Sequence, residues 1–152
     1  MTREEFIKRA GRLFPDMCCS ESILQVGAEY LGIESDLVPA VAAGFEGGMM
    51  FEKKTCGALT GAIMVLGLAS RQNTDLCLEN AVPELMGRFH ERCGTTSCFE
   101  LTGLDLKNPE QMGKLNVKLC RAFVRLVGGH LYDILTETAS CSLPGHPPHP
   151  GR

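Results

Sequence analysis

Four of the eight cysteines in this chain stand where a thiol is expected to be reactive. Cys19, Cys56 and Cys98 each fall in a segment predicted to be the first turn of a helix, and Cys120 lies inside a later predicted helix whose apolar face could reach them. A helix N-terminus carries partial positive charge and free N–H groups. It therefore favours thiolate over thiol, and thiolate is the form that attacks disulfides and binds metals. The placement of these cysteines predicts that the function of the protein depends on their thiols.

The sharpest motif surrounds Cys56 and has the sequence CGALTG over residues 56–61. Gly57 and Gly61 are four residues apart, so one strip of the predicted helix lacks side-chain bulk and allows a neighbouring backbone, or a bound group, to come close. Two lysines at positions 53–54 precede the cysteine. With the helix end, they predict a lowered pKa for this thiol. The alternative is close helix packing around a buried, inert cysteine.

The spacing of the four cysteines excludes the simplest sulfur sites. The chain has no CxxC pair, which argues against zinc ribbons and thioredoxin-like motifs. It also lacks the cysteine run of bacterial ferredoxins. Any common site must therefore be assembled by tertiary packing from four separate helices.

Helical periodicity dominates the chain, and no convincing strand pattern occurs. The segment 56–70 is apolar or small at nearly every position, which is typical of a buried helix. A capping box at Asn108 predicts a long last helix that continues to about Glu137. We therefore predict an all-α, single-domain bundle of about six helices around a buried central helix, over residues 1–138. Residues 139–152, rich in Pro and Gly, are predicted to form a disordered tail.

Charge and hydropathy limit the function classes. The net charge is −3 and no basic stripe is evident, so no nucleic-acid partner is expected. The N-terminus is charged without the apolar core of a signal peptide, and the longest apolar stretch, residues 56–69, is too short to span a bilayer. We expect a soluble, cytoplasmic protein that does not span the membrane. In that compartment cysteines are reduced, metal-bound or catalytic rather than a disulfide framework.

The order Cys19, CGAxxG at residues 56–61, Cys98 and Cys120 resembles the C_GCAxxG_C_C family, bacterial proteins described as redox-active and named for four invariant cysteines. The resemblance covers roughly residues 3–137. It extends to the segments around the motif cysteines, which are CSESIL at 19–24, GFEGGM at 44–49 and CFELTG at 98–103.

The chain departs from the family pattern in two ways. Glu46 and Met50 stand where glycine is common in the family's loop. Four further cysteines lie outside the pattern, namely Cys18, Cys77, Cys93 and Cys141. Cys18 adjoins Cys19 and could substitute for it or interfere with it.

The resemblance implies redox activity through the cysteines. A similar module occurs joined to a multi-haem cytochrome, where it is associated with an iron–sulfur site, which implies electron transfer. The first hypothesis is therefore an iron–sulfur cluster, or another metal–thiolate site, with Cys19, Cys56, Cys98 and Cys120 as the ligands of the metal.

Two other hypotheses remain open on the sequence. The chain could perform thiol–disulfide chemistry without a metal, with Cys56 as the catalytic, attacking thiolate. It could instead be a non-catalytic interaction module with structural cysteines, serving a membrane transporter or a redox partner protein. A homodimer is compatible with each of the three hypotheses.

Overall fold

The fold is a set of helices packed around one central helix. The computed structural model describes residues 1–73 and 75–137. Within them the only β-type pairing is an isolated bridge between Thr55 and Ser97, so the predicted all-α fold is confirmed. The helices are α1 (Arg3–Leu13), α2 (Cys19–Leu31), a 3₁₀ helix (Ala40–Phe45), α3 (Glu46–Met49), α4 (Gly57–Gln72), α5 (Leu78–Cys93), α6 (Cys98–Thr102), α7 (Pro109–Met112) and α8 (Val117–Thr136).

Helix α4 is the predicted central helix, and its burial follows from its composition. Leu59, Val65 and Leu66 are fully buried on it. It packs against α2, α5 and α8, and its most extensive contact is with α2. A helix that is apolar or small on nearly every side can be covered on most of its surface, and neighbouring elements do bury most of α4.

Helices α1 and α8 pack along each other and bring the two ends of the described chain together. Arg3 donates two hydrogen bonds to Asp133, from Nε at 2.7 Å and from Nη2 at 2.9 Å. Beside this pair, the rings of Phe6, Tyr30 and Tyr132 contact one another with centroid separations between 5.4 and 5.8 Å. These contacts join the C-terminal part of α8 to α1 and α2.

The predicted long helix from Asn108 to Glu137 is wrong, because the segment forms two helices. α7 is a single turn that ends at Met112, with Gly113 as its C-cap, and α8 begins only at Val117. Asn116 is the N-cap of α8, because its side-chain oxygen accepts a hydrogen bond from the backbone N–H of Leu119 at 3.2 Å. This break moves Cys120 from a helix interior to the first turn of α8.

None of the described helices is both long enough and apolar enough to cross a membrane. The predicted tail, residues 139–152, lies outside the described residues, and so does the predicted domain boundary at residue 138.

Candidate functional site

All four motif cysteines line one cavity, whose volume is about 70 Å³. That is several times the space that one water molecule needs. The rest of its wall is mostly apolar and comes from Phe14, Phe51, Leu101, Leu106, Met112, Leu115 and Phe123, with Glu46, Gly47 and Thr102 also contributing. The sequence predicted that these cysteines act together, and tertiary packing does place them around one space.

Cys19 enters the cavity because two glycines of the CGALTG motif let α2 lie against α4. A Cβ on Gly57 would stand 2.4 Å from the Cys19 sulfur, and one on Gly61 would stand 2.4 Å from the backbone oxygen of Ser20. Real Cβ atoms do not approach that closely, so any side chain at these positions would push the helices apart. The glycine spacing predicted from the sequence therefore serves close backbone approach beside a cysteine.

Cys56 and Cys98 are brought together by the isolated bridge between Thr55 and Ser97. The Cys98 N–H donates to the Lys54 carbonyl at 2.8 Å, and the Cys56 N–H donates to the Thr96 carbonyl at 2.8 Å. Ser97 caps α6, and Cys98 is the first residue of that helix, in the first turn as predicted. Cys56 stands one position earlier than predicted, at the N-cap of α4.

Residues 47–51, which include most of α3, form a left-handed loop before Cys56 and not a regular right-handed helix. Every residue from Gly47 to Phe51 has a positive φ, between 52° and 83°. At Gly48, where φ is +83°, a Cβ would stand 2.7 Å from the Lys54 carbonyl oxygen and 2.8 Å from the Cβ of Cys98. The absence of a side chain there lets the loop close over the cavity.

Burial raises the pKa of all four thiols. It raises the pKa of Cys56 well above its ordinary value, and that of Cys98 to about 12, with the neighbouring cysteines adding to both shifts. Burial is also the main cause of the raised pKa values of Cys19 and Cys120. For Cys19, the backbone N–H groups of Gly47 and Ser20 act in the opposite direction. In the absence of metal these sulfurs are protonated at neutral pH.

The predicted lowering of the Cys56 pKa is therefore wrong. The lysines invoked for it are engaged elsewhere or exposed: Lys53 pairs with Asp105 at 2.7 Å and lies over the ring of Phe99. Lys54 is exposed. The N–H of Ala58 does favour the Cys56 thiolate, but desolvation exceeds it.

The other described cysteines stand apart from this cavity. Cys18 precedes α2 as its N-cap residue, Cys77 precedes α5 and Cys93 ends α5; none of them lines the cavity. Burial raises the pKa of Cys18 to about 11. Cys141 lies outside the described residues. Within the described part of the chain, no three His, Cys, Asp or Glu side chains are arranged as ligands of a single metal ion.

Glu46 is a cavity residue that the sequence analysis noted only as a departure from glycine. It lines the cavity from the position before the left-handed loop, although the residue as a whole is exposed. Desolvation and the charge of Glu21 raise the pKa of its carboxyl group. The apolar wall was also missed, because its residues come from segments far apart in the sequence.

Comparison with known families agrees with this site. The profile of the family described as "Putative redox-active protein (C_GCAxxG_C_C)" matches residues 17–134, which is most of the chain and includes all four cavity cysteines. The chain belongs to this family. No curated protein and no solved structure gives a significant match to it.

Proposed function

We propose that this protein transfers electrons through an iron–sulfur cluster held by Cys19, Cys56, Cys98 and Cys120. The observation that carries the proposal is the convergence of these thiols, from the starts of four separate helices, on one mostly apolar cavity. Cysteine thiolates are the usual ligands of such clusters. When bound, a cluster supplies one-electron redox chemistry that the side chains themselves cannot.

The donor set supports a cluster more than a single ion. Four sulfurs on one tetrahedral zinc stand about 3.8 Å apart, given a zinc–sulfur distance of about 2.3 Å. Among the described residues no three His, Cys, Asp or Glu side chains form a group that could hold one metal ion. A four-iron cluster takes one cysteine on each iron, with bridging sulfides between the irons, and therefore does not require three thiols on one ion.

The electrostatics of the site also favour metal binding over bare thiolates. Burial opposes ionisation of each sulfur, so an uncompensated thiolate here is costly. Bound iron supplies the missing positive charge, and metal binding would release the thiol protons. The N–H groups of Gly47 and Ala58, which favour thiolate at Cys19 and Cys56, are suited to stabilise the ligated sulfurs.

Metal-free thiol–disulfide exchange, with Cys56 as the attacking thiolate, has weaker support. Exchange requires an accessible thiolate, whereas Cys56 is buried and its pKa is raised well above the ordinary value.

The test is anaerobic purification and reconstitution, followed by iron, sulfide and zinc analysis and by visible and electron paramagnetic resonance spectra. We expect iron and sulfide in the parent chain, and their loss in the single variants Cys19→Ser, Cys56→Ser, Cys98→Ser and Cys120→Ser. Cys93→Ser, which replaces a half-buried thiol outside the cavity, is the matched control and should keep the cluster. Iron content at background in the parent chain, or retained when all four cavity cysteines are replaced, would contradict the proposal.

A further inference from the structure

A cationic groove runs between α1 and α8, next to the cysteine cavity. Four basic side chains and one glycine line it, with no acidic residue among them: Lys8, Gly11, Arg12, Arg121 and Arg125. Its volume is about 380 Å³. This positive surface stands on a chain whose net charge is −3, so it is opposite in sign to the molecule as a whole.

Two of the arginines are held in place by the fold. The stem of Arg125 lies on Gly11, where a Cβ would stand 2.9 Å from its Cγ atom. Arg121 donates hydrogen bonds to the backbone carbonyl of Phe14, from Nε at 3.3 Å and from Nη2 at 3.2 Å. A side chain already fixed loses less conformational freedom when a ligand binds.

The cations of the groove are little neutralised by the chain itself. Arg12 and Arg125 make no ion pair with any residue in the ranges 1–73 and 75–137. Lys8 pairs with Glu4 at 2.7 Å, but both side chains are more than half exposed, and such pairs are weak. Guanidinium groups bind carboxylates through two parallel hydrogen bonds.

The groove and the cavity share a wall. Phe14 lines the cavity, and its backbone carbonyl accepts hydrogen bonds from Arg121 at the groove. Arg121 also follows Cys120 directly in the chain. A partner seated in the groove would therefore stand beside the cysteines, where electrons must enter or leave the proposed site.

We propose that this groove docks a carboxylate-rich surface of a redox partner protein. The proposal rests on the proposed electron-transfer function for its purpose, but the binding it predicts does not require the cluster. Small charged contacts are typical of transient redox encounters, in which opposite charges guide association. Nucleic acid and anionic membranes are less favoured occupants, because the remaining surface of an acidic chain would be repelled by an extended polyanion.

The test measures binding of the intact chain to a deca-glutamate peptide that carries a neutral fluorophore, by fluorescence anisotropy at low salt. We expect binding that weakens as salt is added and that is about tenfold weaker in the double variant Arg12→Gln/Arg125→Gln. The control Arg92→Gln/Lys114→Gln removes the same charge from exposed residues outside the groove and should bind as the parent does. Circular dichroism of each variant verifies that the fold is retained.

Several results would overturn the proposal. These are no peptide binding, an equal loss in the control variant, or full competition by an equimolar amount of inorganic phosphate, which would indicate a small-anion site. The proposal would also be overturned if duplex DNA or phosphatidylglycerol vesicles bound through the same arginines as tightly as the peptide does, or more tightly. Iron analysis of the same samples separates the two proposals. Peptide binding without bound iron would support the docking groove and refute the cluster. Bound iron without peptide binding would support the cluster and refute the docking groove.

Discussion

At Cys56, two opposing effects act on the same thiol, and their magnitudes decide the outcome. A helix N-terminus stabilises a nearby negative charge by about 0.3–1 kcal/mol, and up to about 2 kcal/mol in favourable geometries. Full burial shifts a pKa by up to about 3–5 units, or roughly 4–7 kcal/mol. Cys56 is only 7% exposed, so burial prevails and the pKa rises. Placement at a helix start therefore does not make this thiol reactive.

Cys98 is expected to make the metal-free protein less stable at alkaline pH. Its pKa is raised from an ordinary value of 9.0 to about 12 in the folded chain, so between these values the unfolded chain loses a proton that the folded chain keeps. Stability contributed by this thiol is complete below pH 9 and falls as pH rises toward 12, by at most about 1.4 kcal/mol per pH unit. Urea unfolding of metal-free protein over this range measures the slope.

The matching variant is Cys98→Ala, which has no thiol to titrate and should show a shallower alkaline loss than the parent. Since lysines and tyrosines titrate in the same range, the difference between the two chains is the quantity of interest. An identical dependence of unfolding free energy on pH in the parent and in Cys98→Ala would contradict the raised pKa of Cys98.

The chemistry-bearing residues could be selected from the sequence, but their ionisation could not. Motif and order separated Cys19, Cys56, Cys98 and Cys120 from the other four cysteines, and the structure places all four around one cavity. The direction of the pKa shifts depends on how much water reaches each sulfur. That is decided by residues such as Phe14 and Phe123, which are distant in sequence and come together only in the fold.

At the scale of elements, the contact between α2 and α4 depends on the absence of a side chain at Gly61. A Cβ there would stand 2.4 Å from the Ser20 backbone oxygen, and a backbone atom cannot turn aside as a flexible side chain can. We expect Gly61→Ala to lower the free energy of unfolding by about 3 kcal/mol. Chemical denaturation measures the loss, and iron reconstitution should fall with it, because Cys19 lies on the helix that is displaced.

Gly67 supplies the matched control on the same helix, since a Cβ at this position would have no atom within 4 Å. Gly67→Ala should raise the free energy of unfolding by about 1 kcal/mol, because alanine is the better helix former. Similar changes in the two variants would show that helix propensity, and not close approach, governs these positions.

The left-handed loop is a second element whose strain can be measured. Met50 has a φ of 52° and is 48% exposed. Its left-handed backbone is therefore unfavourable, and burial of its side chain offsets this strain only in part. A left-handed conformation costs a residue with a side chain about 1–2 kcal/mol, which glycine avoids. We expect Met50→Gly to stabilise the protein by about 1 kcal/mol in thermal or urea unfolding.

Gly48→Ala gives the opposite test in that loop and should destabilise the protein, because a Cβ would meet the Lys54 carbonyl oxygen at 2.7 Å. A destabilised Met50→Gly variant would mean that the methionine side chain contributes more than the backbone costs.

Element types were more predictable than element ends. The apolar composition of residues 56–70 was sufficient to predict the buried central helix, observed as Gly57–Gln72. The break between α7 and α8 was missed. The capping box at Asn108 and the helical periodicity after it predicted one continuous helix, whereas Asn116 caps a second helix within that segment. The left-handed winding of residues 47–51 was missed too, since three of those five residues are not glycine.

At the scale of the whole molecule, a half-buried histidine of α8 lies near positive charges carried by α1 and α5. The Nε2 atom of His130, on α8, is buried and has no hydrogen-bond partner among the described residues. Burial lowers the pKa of His130, and the charge of Arg88 lowers it further, as do those of Arg3 and Arg92, while Asp133 raises it. Protonation of this ring would add a positive charge where α8 is fastened to α1 and α5.

The molecule should therefore lose stability in mild acid through His130. The folded-state pKa of His130 lies below the ordinary value of 6.5. Between these two pKa values the unfolded chain therefore binds a proton that the folded chain does not bind. The contribution is complete above pH 6.5 and is lost as pH falls through the folded-state pKa, by less than about 1.4 kcal/mol per pH unit because the ring is partly reached by solvent. Urea unfolding between neutral pH and about pH 5 should show a shallower loss in His130→Gln than in the parent. The control His90→Gln replaces an exposed histidine of α5 and measures the effect of the same substitution away from this environment. An equal slope in the parent and in His130→Gln would show that the unpartnered ring is not what limits the acid stability of this fold.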